Sequence, residues 1–93
     1  MASSANIRSF TSRIRNSRNS VERGKSRFES SANNAGMWWR DDAFPVFQEE
    51  NQSTIRDTNE LIRTMANLQS RFENLAEQLR RAEDERRGER RNR

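Results

Sequence analysis

From Ile7 onward the apolar residues fall at steps of three and four: Ile7, Phe10, Ile14, Val21 and Phe28. Ser17, Gly24 and Ser31 occupy the remaining places of the same stripe. This spacing predicts an amphipathic helix over residues 6–33. One row of the stripe is large (Ile7, Ile14, Val21, Phe28). The other begins with Phe10 and continues small, which would let a facing helix approach closely. The run Asn33-Asn34-Ala35-Gly36 reads as a stop, because Asn and Gly tolerate the left-handed cap conformation.

A second pattern begins after Asp41 and Asp42, either of which makes a good N-cap, with Pro45 in the first turn. Its apolar positions are Phe44, Phe47, Ile55, Leu61, Ile62, Met65, Leu68, Phe72, Leu75, Ala76, Leu79 and Ala82. They are sparse around Asn51, Thr54 and Thr58, then dense from Leu61 to Leu79 with the heptad character of a coiled-coil seam. No Gly or Pro falls between Pro45 and Gly88. The pattern predicts a turn over 34–42, a helix over 43–87 and a frayed basic tail over 88–93. The expected fold is all-α, a single domain over 1–93 made of a two-helix antiparallel hairpin.

At 1.5 Å per residue the first helix would span about 40 Å and the second about 64 Å. Folded back, the first would cover the second only to about Phe72, leaving Leu75, Leu79 and Ala82 beyond it. A partner chain could cover them. The expectation is dimerisation into a four-helix bundle through Ile7, Phe10, Ile14, Val21, Phe28, Leu61, Ile62, Met65, Leu68, Phe72, Leu75 and Leu79.

Composition strengthens the case for a partner. Hydrophobic residues make up 30% of the chain, against about 45–50% in globular proteins, so a lone chain has little core to bury. The chain has neither Cys nor His, which removes disulfides, thiol chemistry, imidazole acid–base catalysis and the usual zinc sites. Two helices also offer no sizeable concave site. The expectation is a protein with no enzymatic activity, cofactor, metal or small-molecule ligand. No apolar run approaches the ~20 residues of a membrane span and no signal-peptide core is present, so no membrane insertion is expected.

The net charge of +4 conceals an asymmetry. Residues 1–40 carry eight basic and two acidic groups, and residues 41–80 carry four basic and eight acidic ones. Opposite signs on the two helices favour their pairing. The first helix holds Arg8, Arg13, Arg15, Arg18, Arg23, Lys25 and Arg27, a basic set that could attract phosphates. These residues spread around the helix, and a solvated face paired with the acidic second helix explains them better than nucleic acid does.

At the corner between the helices, Trp39 is followed by Ala43 and Phe47. In these residues the chain resembles the WXG family of small helical hairpins, the ESAT-like substrates of bacterial type VII secretion. Trp39 takes the place of the family Trp, with the small residue and the Phe at the family spacings. Asp41 stands where the family has Gly. The resemblance implies an aromatic turn of Trp38, Trp39, Asp41, Ala43 and Phe47, in which Trp38 has no family role and becomes a candidate outward contact. Many members carry a Tyr-x-x-x-Asp/Glu export signal. This chain has no Tyr, and the nearest counterpart is Leu79 with Glu83. The resemblance implies a small substrate, or a co-secreted chaperone-like helper, that pairs as homodimer or heterodimer with a related hairpin. A secretion ATPase or a larger toxin-like substrate would be its further partner. The protein would be cytoplasmic before export and secreted afterwards without a cleaved signal. The rival readings are a coiled-coil scaffold unrelated to secretion and a basic helical protein that coats nucleic acid.

Overall fold

A computed structural model describes residues 3–91. It contains two helices, α1 (Ser4–Trp38) and α2 (Phe44–Arg91), and no strand among the described residues. No helix among the described residues is long and apolar enough to cross a membrane.

Both helices are longer than their sequence signals suggest. α1 starts behind an N-cap at Ser3, whose Oγ accepts from the Asn6 N–H at 3.2 Å. It runs straight through Asn33-Asn34-Ala35-Gly36, and no described residue has positive φ. Gly36 is therefore a close-approach site. A Cβ there would lie 3.2 Å from Cζ of Phe44. The helix ends where the Arg40 guanidinium donates to the carbonyl of Met37 at 3.2 Å, satisfying a C-terminal orphan. The chain then reverses over 39–43, later than the expected 34–42. Asp41 organises the reversal, its Oδ1 accepting from the Ala43 N–H at 2.9 Å and its carbonyl from Phe44 N–H at 3.2 Å. Pro45 follows in the first turn of α2, where a missing N–H costs nothing. Gly88 does not stop α2, which continues to Arg91. The rest of the expected tail lies outside the described residues.

Packing divides into two units, Met1–Asn16 with Met65–Arg93, and Ser17–Thr64. In the first, the helices run antiparallel and their ends are fastened. Ser4 donates from both N–H and Oγ to the Glu83 carboxylate, each at 2.9 Å. Thr11, Ile14 and Ala76 are buried, and Ile7, Met65, Phe72 and Leu79 are half-buried around them. The Thr11 hydroxyl donates to the Ile7 carbonyl at 2.9 Å, so it is buried without an unmet bond. Leu79 and Ala82 thus lie under α1 and do not project beyond it. With α1 starting at Ser4 and bonded to Glu83, its cover reaches past the expected Phe72 to Glu83.

In the second unit, Ala35 is buried and Val21, Lys25, Ala32, Ile55, Thr58 and Ile62 are half-buried. The stretch with few apolar residues, Asn51 to Thr58, does not close tightly on α1. A groove of about 420 Å³ remains there, between Asn33 and Gly36 on one side and Phe44, Asn51 and Ile55 on the other.

The seam on α1 is rotated from the sequence stripe. Ile7, Ile14 and Val21 belong to it as expected. In its second row, however, Thr11 is buried while Phe10 is 46% exposed. In the same row Arg18, Lys25 and Ala32 are half-buried, whereas Ser17, Gly24 and Ser31 are exposed. Long charged side chains can line a seam along their methylene stems while the heads reach water. Here Arg18 pairs with Glu22 at 4.0 Å and Lys25 with Glu29 at 3.5 Å, each within α1.

Candidate partner-binding surface

The corner is built from adjacent tryptophans with different fates. Trp39 is half-buried, its ring 5.9 Å from Phe44 and 4.7 Å from Phe47. Its indole N–H donates to Asp41 Oδ1, the same oxygen that accepts from Ala43. Asp41 thus holds both the ring and the turn, a role that a glycine could not fill. Trp38 is 70% exposed and stacks on the outer side of Trp39 at 6.0 Å and 5°. Met37 and Val46 are exposed in the same unit.

Along the helices, the residues expected to bind a partner fall into two sets. Ile14 is buried, and Ile7, Val21, Ile62, Met65, Phe72 and Leu79 are half-buried within their units. Phe10, Phe28, Leu61, Leu68 and Leu75 are exposed. Each leucine of that set directly precedes a seam residue of α2 (Ile62, Gln69, Ala76), so the three repeat at heptad spacing beside the seam. In the first unit Phe10 packs its ring edge-on against Phe72 at 5.2 Å and 78° and still presents its outer face to water.

Charge separates the edges of the first unit. Arg15 and Glu73, each following a seam residue, approach to 3.6 Å, and Arg8 and Glu77 to 4.0 Å. Glu77 is also gripped by its own helix. The Arg80 guanidinium bonds both its oxygens at 2.7 and 3.1 Å, which, with help from Arg81, brings its carboxyl down to about 2. The same contact raises Arg80. Glu83 is also held below the usual carboxylate range, first by the Ser4 backbone N–H and then by its hydroxyl. Its carboxylate sits on the N-terminus of α1, where the helix dipole favours negative charge. The Leu79 and Glu83 pair is thus built into the packing of the two helices, with Leu79 half-buried and both oxygens of Glu83 bonded to Ser4.

Sequence reasoning placed Ala76 in the stripe of the second helix but missed Thr11, Ala35 and Ser4, the other small residues on which the helices approach. A heptad search admitting Thr, Ala, Ser and the stems of Arg and Lys as seam residues would have found them. No family model, curated protein or solved structure matches the chain.

Proposed function

We propose that this chain is a helix-pairing protein that works as a small substrate, or as a co-secreted chaperone-like helper, of a type VII secretion system. The observation that carries the pairing part is the poverty of the core. Among the described residues only Ile14, Ala35 and Ala76 are buried apolar residues, and no large side chain is fully buried. Phe28, Leu61, Leu68 and Leu75 remain exposed at 37%, 49%, 38% and 37%. Covering such residues with another helical pair supplies apolar burial that the chain lacks, about 25 cal/mol per Å². The result would be a four-helix bundle.

The link to secretion rests on the resemblance to WXG hairpins, supported by the packing of Trp39 on Phe47 at 4.7 Å. Asp41 bonds the indole and the Ala43 N–H at the position where the family has glycine. The nucleic-acid reading is weakened because Arg8 and Arg15 face glutamates of α2. Export is tested by expressing the tagged chain in its native host with and without the system's membrane ATPase. The expected result is accumulation in the medium that depends on the ATPase. Accumulation that ignores the ATPase, or none in either strain, refutes the secretion role.

A further inference from the structure

The Ser17–Thr64 unit has a face whose apolar and charged groups are complementary to themselves. Leu61 directly precedes the seam residue Ile62, as Gly24 directly precedes Lys25. In an antiparallel pair of helices, the positions preceding the seam border the same edge. That edge is open. Leu61 is 49% exposed, Phe28 37% exposed, and a Cβ on Gly24 would meet nothing within 4 Å.

The flanks of this edge carry opposite charges. On α1, Arg27 lies one turn from Gly24. On α2, Asp57 lies one turn from Leu61, with Glu50 two turns further toward the corner. Among the described residues Arg27, Glu50 and Asp57 form no ion pair. The wider segments agree in sign. Residues 17–38 of α1 hold four basic and two acidic groups, and residues 44–64 of α2 hold two basic and four acidic ones.

A second copy can meet this face in two symmetric ways. A two-fold axis across the helices would set α1 on α1 and α2 on α2, bringing like charges together. An axis along the helices sets α1 of each copy on α2 of the other, with both corners at one end. Like-charge juxtaposition at an interface costs several kcal/mol, so the second arrangement wins. We propose that the Phe28 and Leu61 face of this unit docks on the same face of a second copy, α1 against α2, with Arg27 of each facing Asp57 of the other. The interface is isologous. The proposal rests on the helix-pairing reading above and narrows it to self-pairing through one face.

The test is sedimentation equilibrium on the full chain, with helicity followed by circular dichroism. The expected result is a dimer. Leu61→Glu should raise its dissociation constant at least about tenfold without loss of helix, since Leu61 is not part of the intrachain seam. Arg27→Asp and Asp57→Arg should each weaken association by about three- to tenfold. The double variant should return to within about threefold of the parent, because the pair is coupled. A dimer indifferent to Leu61→Glu, or a double variant as weak as the sum of its parts, overturns the proposal. A chain that is monomeric alone but binds a related hairpin also overturns it, while leaving the helix-pairing reading in place. A chain that binds neither overturns both.

Discussion

The rotation of the α1 seam makes a prediction that separates two neighbouring residues. The sequence stripe treats Phe10 and Ile14 alike, and on side-chain size Phe10 should matter more. In the structure Ile14 is 8% exposed among Thr11 and Ala76, while Phe10 is 46% exposed. Ile14→Ala removes buried methyl and methylene groups from a site with few neighbours able to close in, a change that costs about 2–4 kcal/mol. Phe10→Ala loses half-exposed ring surface and one edge-to-face contact at 5.2 Å. Such a contact is worth about 0.5–1.5 kcal/mol, and the total loss should stay near 1–2 kcal/mol. A chain of this length is expected to have about 5–14 kcal/mol of stability, and one with so small a core belongs at the low end. Ile14→Ala would then remove a third or more of the total. Thermal and urea unfolding followed by circular dichroism at two protein concentrations measures both variants, and the concentration series separates any contribution from association. Ile14→Ala should lower the melting temperature by roughly 10 °C or more, and clearly further than Phe10→Ala. A Phe10→Ala loss equal to or larger than that of Ile14→Ala would put the Phe10 row in the seam and refute the assigned register.

Three further outcomes are expected. Asp41→Ala removes the acceptor shared by Trp39 and Ala43; it should cost about 1 kcal/mol, as loss of a helix cap does, and alter Trp39 fluorescence, and an unchanged spectrum with unchanged stability would deny Asp41 its role in the turn. Glu77 and Glu83 have folded pKa values below their unfolded ones, so their contributions are complete above the unfolded value near 4.5 and are lost as pH falls through the folded value, about 2 for Glu77. Helicity should therefore fall between these limits, less steeply in Glu77→Gln; an identical acid titration in that variant would contradict the assignment. Iodide should quench Trp38 much more than Trp39, measured in the single-tryptophan variants Trp39→Phe and Trp38→Phe, and equal quenching would mean that the corner does not shelter Trp39.

The sequence alone determined that the chain is helical in two long segments, because steps of three and four have no other regular solution. It also located the corner at the tryptophans and assigned Ile7, Ile14 and Val21 to one row of the seam. Tertiary contacts decided the rest. Local signals could not tell a helix stop from a packing site: Gly36 in Asn33-Asn34-Ala35-Gly36 is helical, and its missing side chain leaves room for the ring of Phe44, which comes within 3.2 Å of where a Cβ would be. Polarity could not choose the second row of α1 either. Two helices approach closest on small residues, so Thr11 and Ala76 lie inside at 3% and 2% exposure while Phe10 is turned to the edge. The extent of the overlap was equally invisible, because it depends on where the chain reverses. Its reach is marked by Ser4, which bonds Glu83. Of the residues expected to await a partner past Phe72, Leu79 and Ala82 are thereby covered by the chain's own first helix, while Leu75 stays exposed. Besides Met37, Trp38 and Val46 at the corner, the Ser17–Thr64 unit leaves open an edge where Leu61 and Phe28 stand between charges of opposite sign on α1 and α2. Periodicity had placed these two residues on the pairing surface, but only the packed register shows which of its faces is left open.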